Sequence, residues 1–195
     1  MNTHQIKSHL LVVGGTGYIG YHLILAAKKK GWKVTSVSKS QPLNHRYIGG
    51  VKYLKVDIAN LKALRKKLTE SYTYVVNLGG YVSHISFKDK KKEVVKSHFL
   101  GLINLTKIFS NKKIKKFIQI GSSVEYGEIE APQNENQHGL PQSPYALAKS
   151  AATQFLLTLF KSKKFPVTIL RFFQVYGPNQ DENRFLPQVI KGCLG

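Results

Sequence analysis

Residues 10–20 read LLVVGGTGYIG, and this stretch decides the fold of the chain. The apolar run at 10–15 predicts a buried strand of a parallel sheet, because such strands are covered on both faces. Glycines recur at every third position, as Gly14, Gly17 and Gly20, and a helical pattern follows. Missing side chains there let the chain turn tightly, let a pyrophosphate approach the backbone, and let the helix pack closely on the strand. The stretch therefore predicts a dinucleotide-binding turn, with phosphates at the helix N-terminus.

Strand and helix patterns alternate along the rest of the chain. Further strands are predicted at 33–37, 51–56, 74–78, 117–120 and 167–172. Helices are predicted at 18–30, 61–68, 94–109 and 144–160, with another starting near Arg184. This alternation predicts an α/β fold, a Rossmann-type doubly wound parallel sheet. We expect a dinucleotide-binding domain over 1–178 and the start of a substrate-binding region over 179–195.

The composition is that of a globular domain, with 195 residues, 42% of them hydrophobic, and a formal net charge of +20. Lysines outnumber arginines 26 to 4 and lie in short runs near predicted helix ends. Base recognition favours arginine, and single-strand binding favours interleaved aromatic residues. The pattern is therefore typical of a solvated lysine-rich surface, and we expect no nucleic-acid partner.

Other classes of protein are disfavoured by the same reading. Cys193 is the single cysteine, which leaves no disulfide framework and no cysteine-based zinc cluster, and we expect no metal. No apolar run approaches the roughly 20 residues of a membrane span. The first residues, MNTHQIKSHL, lack the apolar core of a signal peptide. We expect a cytoplasmic protein without a membrane partner.

The end of the second predicted strand bears on the choice of dinucleotide. An acidic residue there would bind the adenosine ribose of NAD, but the sequence has Ser38 and Lys39. A hydroxyl and an ammonium suit a 2′-phosphate, with Arg46 as a second positive group. We therefore expect NADP(H), with NAD(H) as the alternative.

Tyr145 and Lys149 are four residues apart, which places them on one face of the predicted helix. A phenol has a pKa near 10 and exchanges protons poorly at neutral pH. A neighbouring ammonium and an oxidised nicotinamide both favour the phenolate. The pair is therefore a candidate for proton transfer during hydride transfer.

These motifs resemble the extended short-chain dehydrogenase/reductases, the nucleotide-sugar family of NAD-dependent epimerases and dehydratases. The resemblance rests on GGTGYIG at 14–20, NLGG at 77–80 (usually Asn-Leu-Ala-Ala), GSSVEYG at 121–127, YALAK at 145–149 and RFFQVYGP at 171–178. It implies a catalytic set of Ser122, Tyr145 and Lys149. The implied cofactor contacts are Gly14, Gly17, Tyr18, Ile19, Gly20, Ser38, Lys39, Asp57, Ile58, Leu78, Gly79, Gly80, Tyr145 and Lys149. The implied substrate contacts are Ser123, Gln174 (where the family usually has Asn) and Arg184.

The resemblance also narrows the reaction. Dehydratases of the family carry an acid two residues before the tyrosine of the Tyr-Gly pair, where this chain has Val124. Glu125 is one position later, and we expect it on the other face. Reaction without elimination is expected, as in an NADP(H)-dependent NDP-hexose 4-ketoreductase of deoxysugar synthesis. An NAD-dependent NDP-sugar 4-epimerase is the alternative, and a non-catalytic dinucleotide-binding module is an outside possibility.

The resemblance implies two further features. Members of the family continue into a C-terminal lobe that completes the sugar pocket, which we expect to be largely missing here. A nucleoside-diphosphate sugar is the expected substrate, and a homodimer is common in the family.

Overall fold

A computed structural model describes residues 8–80 and 96–194, with the backbone only at residue 96. It contains six strands: β1 (His9–Val13), β2 (Lys33–Ser38), β3 (Lys52–Lys55), β4 (Tyr74–Asn77), β5 (Lys116–Ser122) and β6 (Val167–Phe172). They form one sheet in the order β3-β2-β1-β4-β5-β6, and every neighbouring pair is parallel. The predicted doubly wound α/β fold is confirmed.

Five α-helices are described: α1 (Tyr18–Lys29), α2 (Leu61–Lys67), α3 (Gly101–Phe109), α4 (Pro144–Lys163) and α5 (Phe185–Leu194). A π-helical segment, Lys96–Leu100, precedes α3, so the helix predicted at 94–109 begins differently. Val94 and Val95, predicted on its buried side, lie outside the described residues. None of the described helices is long and apolar enough to cross a membrane.

Local signals in the sequence set several helix ends. The Asn60 side chain accepts a hydrogen bond from the Ala63 N–H at 3.0 Å and so caps the N-terminus of α2. Ser143 caps α4 in the same way, and Pro144 occupies the first helical position. After α4, Lys164 adopts a left-handed conformation with φ of 53°, and the helix ends there.

Strand β1 supplies side chains to both layers of the core. Leu11 and Val13 belong to the cluster on one face of the sheet, while Leu10 and Val12 belong to the cluster on the other. This division follows from the alternation of side chains along a strand. Because helices cover both faces, β1 is apolar without alternation from Leu10 to Val13.

The strand order reverses between β1 and β4, which are neighbours in the sheet although β2 and β3 intervene in the chain. Chain connections leave β1 and β4 in opposite directions at this point, which opens a crevice at their carboxyl ends. Ligands of open α/β sheets bind in such crevices. The crevice therefore locates the candidate site.

Candidate active site

The glycine-rich turn after β1 adopts the geometry that its sequence predicts. Gly14 has a φ of +80°, a conformation that favours glycine, and its N–H donates to the Val37 carbonyl at 2.7 Å. A Cβ on Gly14 would lie 3.0 Å from the backbone of Leu78. A Cβ on Gly20 would overlap the Gly14 carbonyl oxygen. The first turn of α1 can therefore pack this closely on the glycine-rich turn only because Gly20 has no side chain.

The N-terminus of α1 fits a pyrophosphate. Gly17 is its N-cap residue and contributes no capping side chain. The N–H groups of Tyr18, Ile19 and Gly20 begin the helix, where backbone donors have no acceptor within the helix. Free N–H groups together with the positive end of the helix dipole suit phosphate oxygens. These residues, with Gly14 and Gly17, would hold the diphosphate of a dinucleotide.

A second wall of the crevice is built at the end of β4. The Leu78 N–H donates to the Val13 carbonyl at 2.9 Å, and the Gly79 N–H donates to the Asn77 side chain at 3.1 Å. Gly80 has a φ of +147°, and a Cβ there would overlap the imidazole of His98. The glycine that replaces the family's usual alanine at position 80 therefore leaves room for His98, a feature that sequence reasoning missed.

Two of the predicted cofactor residues meet at the carboxyl ends of β2 and β3. Lys39 Nζ lies 3.1 Å from Asp57 Oδ2, and both side chains are well exposed. The Asp57 carboxylate also accepts from the Ala59 N–H at 2.9 Å, beside the buried Ile58. Ser38 lies nearer the glycine-rich turn, where its hydroxyl accepts a hydrogen bond from the Thr16 N–H at 3.3 Å. Sequence reasoning did not anticipate the Lys39–Asp57 pair.

Arg46 does not serve as the predicted second positive group for a 2′-phosphate. Its side chain is buried and contacts Asp181 at 2.5 Å and the Asn179 carbonyl at 3.3 Å. His22 Nε2 lies 3.1 Å from the Pro178 carbonyl oxygen nearby. Arg46 is engaged in this way because the chain after β6 folds back over α1 and places the Asp181 carboxylate beside it.

The predicted catalytic residues converge at the carboxyl end of β5. Ser122 ends the strand, and its side chain lies beside the phenol of Tyr145 in the first turn of α4. Lys149 follows one turn later, with Nζ 5.7 Å from the centre of the Tyr145 ring. The Lys149 ammonium donates to the Ile120 carbonyl at 2.8 Å. His98 packs edge-on against the Tyr145 ring, with ring centres 5.1 Å apart.

Burial dominates the proton affinities of this group. It raises the pKa of the Tyr145 phenol above its ordinary value, while the neighbouring Ser122 side chain opposes the shift and the charge of Glu125 adds to it. Burial also lowers the pKa of Lys149 to about 8, and Glu125 opposes that shift. The expected lowering of the tyrosine pKa by Lys149 is not what the structure shows, because desolvation of the phenolate is the larger effect.

Glu125 is fully buried and holds the turn that contains Ser122. One carboxylate oxygen accepts from the Ser122 N–H at 2.7 Å, and the other accepts from the Thr153 hydroxyl at 2.6 Å. Arg171 Nε lies 3.3 Å from the second oxygen. The Ser-x-x-Glu spacing from Ser122 to Glu125 is that of a capping box, a signal in the sequence that predicts this hydrogen bond.

Arg171 extends this network to the loop between β5 and α4. Its guanidinium donates to the carbonyls of Glu135 and Gln137, both at 3.1 Å, and contacts His138 Nδ1 at 3.0 Å. The side chain is almost entirely buried. A single ion pair, Glu125–Arg171, therefore joins β5, β6, α4 and the loop that leads into Tyr145.

The three predicted substrate residues occupy the rim of this region. Ser123 is half-buried in the turn beside Ser122, whereas Gln174 and Arg184 are exposed on the segment after β6. Their contact with a sugar stays a prediction.

The chain matches a known protein family over nearly its whole length. The model of the NAD dependent epimerase/dehydratase family matches residues 10–195. The chain belongs to this family. A dTDP-D-glucose 4,6-dehydratase of Dictyostelium discoideum is 30% identical over 209 residues, covering 95% of this chain and 48% of that protein. A putative UDP-arabinose 4-epimerase of Arabidopsis thaliana is 29% identical over 188 residues, covering 87% of this chain and 42% of that protein.

Solved structures of the family have the same fold. A Bacillus cereus UDP-glucuronic acid 4-epimerase, in complex with UDP-glucuronic acid and NAD, matches with a TM-score of 0.81 and 25% identity, covering 95% of this chain and 63% of that one. A Methanobrevibacter ruminantium UDP-N-acetylglucosamine 4-epimerase, in complex with UDP-N-acetylmuramic acid, has a TM-score of 0.84 and 28% identity, covering 96% and 63%. The chain thus spans about half the length of these curated relatives and under two thirds of these structures.

Proposed function

We propose that this chain is the cofactor-binding part of an oxidoreductase that acts on a nucleoside-diphosphate sugar, with residues 1–178 as the dinucleotide-binding domain and 179–195 opening the substrate region. The observation that carries the proposal is the meeting of Ser122, Tyr145 and Lys149, with Lys149 Nζ 5.7 Å from the Tyr145 ring centre, at the sheet edge that also holds the glycine-rich turn. The nucleotide sugars named with the family's relatives and solved structures support this substrate class.

Each residue has a task in such a reaction. A bound nicotinamide supplies or accepts the hydride at the sugar carbon. Tyr145 gives its phenolic proton to the sugar oxygen when a ketone is reduced, or takes the hydroxyl proton when an alcohol is oxidised. Ser122 hydrogen-bonds the reacting oxygen, and the Lys149 ammonium favours the phenolate that forms transiently.

The reaction proceeds without loss of water. Elimination needs an additional acid or base near the sugar, and the position where dehydratases of this family carry that acid is Val124. The adjacent carboxylate of Glu125 is engaged by Ser122, Thr153 and Arg171. Glu125 is therefore held inside the protein and away from a substrate proton.

We favour reduction of a 4-keto sugar with NADPH as the specific reaction. Lys39 and Ser38 stand where an acidic residue would repel a 2′-phosphate. The Lys39–Asp57 pair is exposed, and pairs of this kind contribute about 0–1 kcal/mol, so Lys39 is available to a phosphate at little cost. A release of the oxidised cofactor after each turnover suits a reductase.

An NAD-dependent 4-epimerase is the second candidate, and the same pair favours it. Asp57 neutralises part of the positive charge of Lys39, which weakens attraction for a 2′-phosphate. The 4-epimerases among the relatives, and the NAD in the Bacillus cereus complex, favour it as well. Such an enzyme needs the same Ser122, Tyr145 and Lys149, because it oxidises carbon 4 and then returns the hydride to the other face.

A paired titration of the protein with NADPH and NADH, followed by nicotinamide fluorescence at fixed salt, tests the assignment. We expect tighter binding of NADPH by tenfold, about 1.4 kcal/mol. Lys39→Gln should remove that preference, while Lys55→Gln, an exposed lysine at the end of β3, should keep it. Tighter binding of NADH, or NAD that copurifies and stays bound, assigns the epimerase. Binding of neither dinucleotide contradicts the whole proposal.

We further propose a homodimer, as the family resemblance implies, and a cytoplasmic location, as the first residues of the sequence predict. Exposed apolar residues of α4, including Leu147 at 49% exposure, offer a surface for such contact. Sedimentation equilibrium would show a monomer if this is wrong.

A further inference from the structure

Because all six strands are parallel, their amino ends lie together along one edge of the sheet, opposite the edge that holds the crevice. The helices that connect the strands end at this same edge. Fifteen lysine and arginine residues lie there, at the ends of α1, α2, α3 and α4 or just before and at the start of the next strand; we name this set the basic edge. It consists of Lys28, Lys29, Lys30, Lys33, Lys52, Arg65, Lys66, Lys67, Lys112, Lys113, Lys115, Lys116, Lys161, Lys163 and Lys164. These are half of the 30 basic residues of the chain, and all but Lys28 are exposed.

Contacts between elements show that these helix and strand ends lie side by side. Lys28 at the end of α1 donates to the Gly50 carbonyl, just before β3, at 3.2 Å. Lys112 after α3 donates to the Leu68 carbonyl at the end of α2, at 3.4 Å. Lys33 and Lys52 both contact Glu70 after α2, and the Phe117 N–H donates to the Pro166 carbonyl after α4 at 2.8 Å, so the five separate parts of the chain that form the basic edge are neighbours.

Carboxylates are almost excluded from this surface. Among the described acidic residues, Glu70 alone lies at the basic edge, where Lys33 and Lys52 each approach one of its oxygens to 2.5 Å. These two hydrogen bonds lower the pKa of Glu70 to about 2, so its charge is already neutralised by its neighbours. The other described carboxylates follow the carboxyl ends of strands: Asp57, Glu125, Glu128, Glu130, Glu135, Asp181 and Glu182.

The chemistry of the basic edge favours a broad anionic surface over a nucleic acid. Fourteen of the fifteen residues are lysines, which act as flexible point charges, whereas phosphate and base recognition in nucleic acids favours the arginine fork. Phe160 is 47% exposed beside Lys164, which lies over its ring at 6.0 Å, and such an aromatic suits the headgroup region of a bilayer.

We propose that the basic edge docks the protein onto an anionic lipid bilayer. In this orientation the crevice at the carboxyl ends of β1, β4 and β5 faces away from the membrane, so nucleotide and sugar reach it from solution. The binding is electrostatic and peripheral, since juxtamembrane lysines gain roughly a fivefold increase in affinity each near an anionic surface. This proposal does not depend on the proposed function.

Flotation of the 195-residue protein with phospholipid vesicles tests the proposal. We expect binding to vesicles of phosphatidylcholine with about a third phosphatidylglycerol, no binding to phosphatidylcholine alone, and release at high salt. The variant Lys112→Gln/Lys113→Gln/Lys116→Gln should bind at least tenfold more weakly. The matched variant Lys55→Gln/Lys62→Gln/Lys191→Gln removes three positive charges elsewhere and should stay within twofold of the parent protein. Circular dichroism checks that both variants keep the fold.

Three outcomes would overturn the proposal. Equal weakening by the two triple variants would assign the binding to net charge and not to the basic edge. Absence of binding to the anionic vesicles at low salt would show that the basic edge does not dock the protein onto an anionic bilayer. Tighter binding to duplex DNA than to vesicles, lost in the basic-edge variant, would identify a nucleic acid as the partner.

Discussion

Burial shifts the pKa values of Tyr145 and Lys149 in opposite directions, and this decides which of the two groups releases a proton more readily. Burial raises the pKa of Tyr145, so the phenol holds its proton at neutral pH and acts as a donor. Burial lowers the pKa of Lys149 to about 8, so its ammonium is the group nearer to releasing a proton. A protonated phenol beside Ser122 suits reduction of a carbonyl, the direction that the proposed ketoreductase uses.

Replacing Tyr145 by Phe tests the catalytic role at the level of one oxygen atom. The change removes the phenolic proton and keeps the ring that packs against His98. We expect turnover to fall by roughly a hundredfold or more, with nicotinamide cofactor affinity unchanged. Stopped-flow absorbance of the nicotinamide measures both. Unchanged turnover would contradict the catalytic role assigned to Tyr145.

Replacing Lys149 by Met tests the cost of its burial. The drop of the pKa from 10.5 to about 8 implies a penalty of roughly 3 kcal/mol for keeping the ammonium buried, reduced by the lost hydrogen bond to Ile120. We expect the variant to be about 2 kcal/mol more stable at neutral pH, as measured by urea unfolding.

The pH dependence of that difference follows from the sign of the shift. Below pH 8 Lys149 is protonated in both the folded and unfolded states, so the full penalty applies. Between pH 8 and 10.5 the unfolded chain binds more protons, and the wild type gains stability relative to the variant. The difference should therefore shrink over this range. Lys161→Met, at the exposed end of the same helix, should show no such dependence.

At the scale of elements, the buried Glu125–Arg171 pair joins parts that the sequence keeps apart. The two residues are separated by 46 positions, and Glu125 also bonds the Ser122 turn and Thr153 of α4. Removing one partner of a buried ion pair leaves the other charge uncompensated, which typically costs 3–5 kcal/mol. Loss of either partner should therefore destabilise the fold beside the predicted catalytic residues.

Glu125→Gln should lower the free energy of unfolding by about 3 kcal/mol. It should also speed amide hydrogen exchange at Gly139, whose N–H donates to the Glu125 carbonyl at 3.2 Å. Mass spectrometry of exchanged peptides from the loop measures the second effect. Glu128→Gln is the matched control, since Glu128 is exposed three residues away. Slow exchange of the loop in the Glu125 variant would contradict the role assigned to the pair.

The sequence predicts elements better than it predicts such connections. Strand ends were predicted within two residues because apolar runs bounded by glycine and polar residues mark them locally. The Ser122–Glu125 capping box has a local sequence signature, but it was not predicted, because Glu125 was expected on the other face of the strand end. The partners of Arg46 and Arg171 were not predicted either, because an arginine's ion pair depends on which distant carboxylate the topology brings near. Likewise, Gly80 is explained only once His98 is seen beside it.

At the scale of the whole molecule, topology turns a scattered composition into a segregated one. The lysine runs lie between positions 28 and 164, and in sequence they indicate only a solvated surface. The parallel sheet brings them to one edge and places most of the described carboxylates at the other. A sequence pattern with a period of two or 3.6 residues carries no information about this arrangement.

The net charge of +20 should make stability depend on salt. Self-repulsion within the basic edge destabilises the folded state, and salt screens it over a Debye length of about 10 Å at 0.1 M. We expect the thermal midpoint to rise by about 3 °C between low and moderate sodium chloride, which corresponds to about 1 kcal/mol for a domain of this size. Differential scanning calorimetry measures the rise. The triple variant at Lys112, Lys113 and Lys116 should show a smaller one, and an equal rise would locate the repulsion elsewhere.

The tie between Arg46 and Asp181 has a consequence for how the protein is made. The two residues are 135 positions apart, so the ribosome releases Arg46 long before its partner exists. Until then the Arg46 guanidinium stays in water, and the segment after β6 that contains Asp181 cannot pack over α1. The nascent chain can assemble β1, β2 and β4 early, but the surroundings of the glycine-rich turn are completed last. A cofactor that binds there would meet its finished site only after Asp181 has been translated and has folded back onto Arg46.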